Sequence, residues 1–203
     1  MDWDHLVPGL VAFAIGLVFA SLVEYWVHRL MHVHWLLGKK HAEHHRDGWG
    51  QGWFGEFLDY FLGSLPVMWL GFLHSVSAGV GFALAALVFA TFAAYAHQLQ
   101  HDRPELTFWM PRPVHYLHHH HHMWRHNFGI SVDVWDRVFG TYKKVDWNPE
   151  PKSPTFRDYF RIHWGHTNDG EVPPGIQNED GVARIEVREA KTEDEGPKVE
   201  TPA

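Results

Sequence analysis

The chain alternates long apolar runs with short histidine-rich polar stretches. Residues 8–27 are apolar almost throughout, with Glu24 as the one acid, and further apolar runs cover residues 60–76 and 77–96 with almost no connector between them. At ~1.5 Å rise per residue, a run of this length is suited to a hydrocarbon core of ~30 Å. Three buried core helices of a soluble domain would be shorter and more often interrupted by charge. The pattern therefore predicts an all-α membrane protein with about three to four transmembrane helices, the last two runs forming a hairpin that reverses near residues 75–79.

Charge then orients the spans. Arg29, Lys39, Lys40 and Arg46 follow the first run, Arg103, Arg112, Arg125 and Arg137 follow the third, and the amino terminus carries Asp2 and Asp4. Because Lys and Arg accumulate on the cytoplasmic side, the amino end is expected outside, with the 28–59 loop and everything after residue 96 in the cytoplasm. The first run lacks a basic leader and a small-residue cleavage site, so it is expected to remain as an anchor.

The polar stretches carry most of the chemistry. Of the 19 histidines, ten fall into four clusters: His28-x3-His32, His41-x2-His44-His45, His97-x3-His101 and His115-x2-His118-His119. Residues three and four apart share a helix face, so each cluster can aim its imidazoles at one place. Ten convergent nitrogens exceed the four to six ligands one ion normally takes, and they predict two metal ions. The orientation puts all four clusters on the cytoplasmic side, in a helical cap over the spans. His5 and His74 fall on the other side and are excluded as ligands. The run from His118 to His122 leaves a second register open, His118-x2-His121-His122, so His122 is an additional candidate ligand. His34 and His126 are assigned to the surroundings of the site or to the surface.

The ligand type narrows the reaction. Soluble di-iron bundles use Glu-x-x-His pairs with bridging carboxylates, and no Glu here precedes a His by three; HEXXH is also absent. A nitrogen-rich site beside a bilayer suits oxygen activation directed at a lipid chain. Glu24 lies one turn before His28 and Asp102 adjoins His101, so either can orient an imidazole through its second nitrogen. Zero cysteines exclude disulfides and cysteine-ligated clusters. The bases form no stripe interleaved with stacking aromatics, so no nucleic-acid partner is expected. The net charge of −7 is concentrated in residues 171–203, which hold nine acids against four bases. That segment reads as an acidic disordered tail.

The strings EYWVHRLMH, KKHAEHH, AHQLQH, PVHYLHH and the closing NFGISVDVWDRVFGTY, spread over about Glu24 to Tyr142, resemble the fatty acid hydroxylase and sterol desaturase superfamily of membrane non-haem metal oxidases. The closing string, with Asn127, Phe128, Gly129, Trp135, Asp136, Phe139 and Gly140, contains no histidine and adds support independent of the ligands. The resemblance implies a di-metal centre, with Fe as the expected metal and Zn as an alternative occupant. It also implies O2 as co-substrate and electrons from a separate reductase. The reaction implied is hydroxylation or desaturation of a lipid C–H bond in a fatty acyl, sterol or carotenoid-like substrate. Asn127 and Asp136 join Glu24 and Asp102 as candidate catalytic residues, although Asp136 reads equally well as a partner of a helix cap or loop.

No strand–helix unit carrying G-x-G-x-x-G is expected for a nicotinamide or flavin, so the electron donor is expected to be external, of ferredoxin or cytochrome type. Arg112, Arg125, Arg137, Lys143 and Lys144 could dock it or could equally contact anionic lipid. The domain reading is a membrane-embedded oxidase-like unit over 1–145, a cytoplasmic extension over 146–170 and the tail over 171–203. Small size and the lack of a fused donor domain favour a bacterial cell membrane over the endoplasmic reticulum. The competing reading is a His-rich membrane metal transporter or metal-binding protein; transporters normally place their ligands near the bilayer midplane, where these runs have none.

Overall fold

The computed structural model describes residues 3–33, 36–47, 50–148 and 153–165, and every regular element among them is helical. His34, the side chain of His5 and the 171–203 tail lie outside the described residues. The helices are α1 (Trp3–His32), α2 (Gly38–Asp47), α3 (Trp53–Ser64), α4 (Val76–Asp102), α5 (Val114–His120) and α6 (Val134–Val138), with short 3-10 turns at Leu70–Leu73, Pro104–Leu106 and Phe156–Phe160.

α4 organises the molecule. Ser75 caps its start, accepting the Ala78 N–H at 3.1 Å through its side chain, which satisfies one of the donors a helix start leaves open. Its buried face is rich in small residues, including Ala85, Ala86, Ala90, Ala93 and Ala94, and small side chains let helix backbones approach closely. α1 exploits that face: Gly9 lies against Ser77 and Gly81, and Gly16 against Phe82 and Ala85. This register makes α1 and α4 parallel, so both deliver their last turns to the same end. The outward face of α1 exposes Leu10, Ile15 and Val18, a larger apolar surface than water tolerates well. α1 from Leu6 and α4 are each long and apolar enough to cross a membrane.

The second apolar run differs from the expected continuous span. Because α1 and α4 are parallel, residues 53–75 must carry the chain back from the histidine end to the start of α4. Glu56 touches His97 at one end, and Gly71 lies against Ala78 at the other. Along α4 the interval from Ala78 to His97 is ~28 Å, whereas an unbroken helix from Glu56 to Gly71 covers only ~22 Å. The chain meets the difference by breaking: α3 stops at Ser64, Pro66 offers no N–H, and the path continues through turns into the 3-10 segment Leu70–Leu73, whose rise per residue is larger. The hairpin reverses at residues 73–76, beside the expected position. Among the described residues there are thus two continuous apolar helices and one interrupted return path, in place of three or four uniform spans.

The remaining elements close over the histidine end. Residues 153–165 pack onto α3 and α4: Ile162 is fully buried in a cluster with Leu99 and Leu106, and the His163 carbonyl accepts the Trp53 N–H at 2.7 Å.

A Cβ at Gly81 would collide with the Gly9 backbone carbonyl, while one at Gly63 meets nothing within 4 Å. Gly81→Val is therefore expected to destabilise the fold by about 1–3 kcal/mol, and Gly63→Ala to be neutral or mildly stabilising. Thermal unfolding of the two variants in detergent micelles checks this; equal melting temperatures would refute the parallel α1–α4 contact.

Candidate metal centre

Each histidine cluster sits where a helix ends or a short helix begins. His28 and His32 occupy the last turns of α1, His97 and His101 those of α4; His41, His44 and His45 lie on α2, and His115, His118 and His119 on α5. The nitrogens gather in two groups. One comprises His28, His32, His41, His45 and His118, the other His44, His101, His115 and His119, and within each group the ligand atoms lie within 4.8 Å of one another. His97 adjoins the second group, its Nε2 3.2 Å from that of His101 and its ring centroid 4.4 Å from that of His115. Neighbouring residues project about 100° apart on a helix, so the doublets His44-His45 and His118-His119 each divide between the groups. His45 and His119 then stack at 4.0 Å with their planes 10° apart, forming a wall common to both.

The separations are those of a coordination shell. Nε2 atoms lie 3.3 Å apart for His28 and His32, 2.9 Å for His32 and His41, 3.1 Å for His41 and His45, 2.9 Å for His32 and His118, and 3.1 Å for His45 and His118. His28 donates Nδ1–H to the Phe128 carbonyl at 2.6 Å, and His118 donates its own to the His126 carbonyl at 2.7 Å. A carbonyl only accepts, so this network assigns the proton to Nδ1 and leaves the Nε2 lone pairs pointing inward. His32 Nε2 faces three other nitrogens, and one proton cannot serve three acceptors. Metal–nitrogen bonds of ~2.0–2.1 Å give edges of about 2.9 Å at right angles and 3.4 Å in a tetrahedron. The observed edges fall in that interval, so the donor set fits metal ions.

Burial holds these imidazoles neutral. Desolvation first, then the neighbouring histidines, lowers His41 from 6.5 to about 2 and His45 from 6.5 to about 3. His115, His118 and His119 are held well below the ordinary histidine value by the same two causes in the same order. Neutral imidazole is the form that binds a metal.

The candidate acids surround the metal groups rather than joining them. Glu24 does not reach His28, because the Phe128 carbonyl holds the His28 Nδ1. Instead its Oε1 accepts the Ser131 N–H and hydroxyl, both at 2.9 Å, and the Ile130 N–H at 3.3 Å. Asp136 is fully buried and grips the preceding residues: Oδ1 accepts from the Phe128 N–H and Thr141 hydroxyl, Oδ2 from the Gly129 N–H. Desolvation raises its pKa, against the pull of these bonds. Asn127 has a left-handed backbone, φ 59°, and its side-chain amide pairs with both backbone groups of Lys143. Together the three fix residues 126–131, whose carbonyls orient His118 and His28. Asp102 turns from His101 toward His163, accepting its N–H at 2.8 Å and facing its Nδ1 at 3.0 Å.

His122 is exposed and outside both groups. α5 ends at His120, and the left-handed backbone of His122 turns the chain away, so the register through His121 and His122 is not the one brought inward. His74 is exposed at the far end of α4. Sequence reasoning missed Glu56, which is buried with an oxygen 2.6 Å from His97 Nδ1. Its one signal was an acid at the edge of an apolar run, with Asp59 three positions further on. His163, from the expected extension, was likewise unforeseen, since its spacing relates to no cluster.

A cavity of about 520 Å³ opens between α1, α3 and α4 and reaches His28, His41, His44, His97 and His115. Much of the rest of its wall is apolar, including Val23, Phe82, Ala86 and Phe89, with Lys40, Gln51 and Asp59 at one edge.

Residues 13–141 match the family model described as fatty acid hydroxylase. Ornithine lipid hydroxylase OlsE of Rhizobium tropici is 30% identical over 74% of this chain and 46% of its own length. Lathosterol oxidase of Rattus norvegicus is 28% identical over 70% and 47%, and very-long-chain aldehyde decarbonylase GL1-6 of Oryza sativa subsp. indica is 27% identical over 67% and 24%. The chain thus spans between a quarter and a half of the length of these relatives. No solved structure matches it.

Two outcomes follow from the geometry. His41 and His45 take up protons near 6.5 when unfolded but only near 2 and 3 when folded, so the unfolded state binds more protons below 6.5. The metal-free protein is expected to lose stability as pH falls through that interval, with a lower melting temperature at pH 5 than at pH 7.5; a flat profile would contradict neutral buried imidazoles. Asp136→Asn replaces one of two accepting oxygens with a donor and should weaken metal binding roughly 10–100-fold. Asp133→Asn, which removes only the Arg137 surface pair, should leave it unchanged in competition titrations with a chelator.

Proposed function

Because the chain belongs to the fatty acid hydroxylase family, we propose that it is a membrane oxidoreductase that uses O2 to hydroxylate or desaturate an unactivated lipid C–H bond at a di-iron centre. The observation that carries this reading is the apolar cavity ending at two groups of inward-facing imidazole nitrogens. Iron held by His28, His32, His41, His45 and His118 on one side, and by His44, His97, His101, His115 and His119 on the other, would supply O2 activation and one-electron chemistry. In hydroxylation one oxygen atom enters the C–H bond and the other leaves as water; in desaturation both leave as water. Either outcome consumes two electrons and two protons, supplied by an external donor of ferredoxin or cytochrome type.

The protein's share is positioning and exclusion of water. The Phe128 and His126 carbonyls hold His28 and His118 in the tautomer with a free Nε2. Glu56 does the same for His97 by facing its Nδ1. The wall formed by Val23, Phe82 and Phe89 keeps a hydrocarbon chain dry against the histidines. In this reading α1, α4 and the interrupted 53–75 path cross the bilayer, with the histidine end on the cytoplasmic side of a bacterial cell membrane, where Lys and Arg accumulate.

The test is a lipid mass spectrum of the native organism with the gene deleted, complemented by wild type or by a His44→Ala, His118→Ala variant, one change in each nitrogen group. A species differing by one oxygen or two hydrogens, restored only by wild type, is expected. An unchanged lipid profile alongside altered cellular metal levels would overturn the oxidase reading in favour of metal transport.

A further inference from the structure

The cavity is bounded differently at its two ends. α4 packs against both α1 and α3, and the cavity lies between them with α4 as its floor. At the inner end stand Gly16, Phe19 and Phe82, the two rings 5.9 Å apart. At the outer end Lys40 on α2 reaches across to Asp59 on α3 at 2.8 Å, and Gln51 Nε2 donates to the same Asp59 oxygen at 2.9 Å. Both members of that ion pair are about half exposed and all three residues line the cavity. The histidines His28, His41 and His44 are at this polar end. From His28 to Gly16 along α1 is twelve residues, or ~18 Å. A cavity of about 520 Å³ along that length has room for a polymethylene chain.

A polar head at the inner end would meet Gly16, Phe19 and Phe82, whose side chains offer no hydrogen bond. At the outer end, the Lys40 ammonium and Gln51 amide can donate to head-group oxygens, and water can reach the rest. We propose that an acyl lipid enters tail-first, with its head at the Lys40–Gln51–Asp59 rim and its methyl end toward Phe19 and Phe82. The carbon presented to the histidines then lies within the first few after the head, and the Phe19–Phe82 pair limits how long a chain can seat. The exposed Lys40–Asp59 pair is worth little to stability as a surface ion pair, which leaves it free to exchange partners with a head group. This orientation rests on the lipid oxidoreductase reading for its chemical consequence, but not for its geometry.

Photo-crosslinking of the full chain in nanodiscs separates the two. Two palmitic acid analogues are used, one with a diazirine next to the carboxyl carbon and one with it next to the methyl end. Peptide mass spectrometry should place the first on residues 36–44 and 56–60, and the second on residues 15–20 and 82–86. Lys40→Gln should reduce labelling by the carboxyl-end probe several-fold. Reversed positions, equal labelling of both ends by each probe, or no labelling of the cavity would each overturn the orientation. When acyl lipids of different chain length are supplied to the active protein, the oxidised carbon should keep its number counted from the head; a constant count from the methyl end would also overturn it. A correct labelling pattern with no oxidised lipid in the complemented strain would instead overturn the oxidoreductase reading alone.

Discussion

Ten imidazoles brought together in a small, largely buried volume constrain the whole molecule. Where the network fixes the proton on Nδ1, as at His28 and His118, the Nε2 lone pair points inward, toward others 2.9–3.3 Å away. Such an arrangement is electrostatically unfavourable unless a shared cation completes it. The rest of the cap meets that requirement. The segment 126–131 supplies carbonyls that hold the tautomers, and Glu24 and Asp136 in turn fix that segment by its backbone N–H groups. A single buried carboxylate at each point replaces several hydrogen bonds that irregular backbone would otherwise lack.

The parallel packing of α1 and α4 brings the centre and its cavity into one construction. Close contact of Gly9 with Ser77 and Gly81 near the start of both helices, and of Gly16 with Ala85 further along, sets the register, and the same register brings His28 and His32 level with His97 and His101. It also obliges residues 53–75 to retrace the length of α4, and the break after α3 is the consequence of that longer path. With α1 and α3 on different flanks of α4, a cleft remains between them that terminates at the histidines.

The features legible in sequence were those with helical spacing. The four clusters and the short helices carrying them could be read because i, i+3 and i+4 relations survive in any helix. The reversal near Ser75 was legible from the near absence of a connector between the two apolar runs. What the spacing could not resolve was which group each member of a doublet joins, since His44 and His45 are equivalent in sequence and differ only in projection. The run of five histidines hid the end of α5, because the left-handed turn at His122 has no marker such as glycine. Glu24 and Asp102 were legible as neighbours of ligands but not in their partners: Ser131 and His163 are distant in sequence, and only tertiary packing joins them. The break at Pro66 was not legible, because the run 60–76 reads by hydropathy as one continuous span.

The most direct measurement is the X-ray absorption spectrum of the iron-loaded protein together with its iron content. Two irons per chain, each with a nitrogen-dominated shell and the multiple scattering of several imidazoles, is the result expected from nitrogen groups separated as these are. One iron per chain, or a shell dominated by oxygen, would contradict it, because the ten histidines would then not be the ligands that hold the site together.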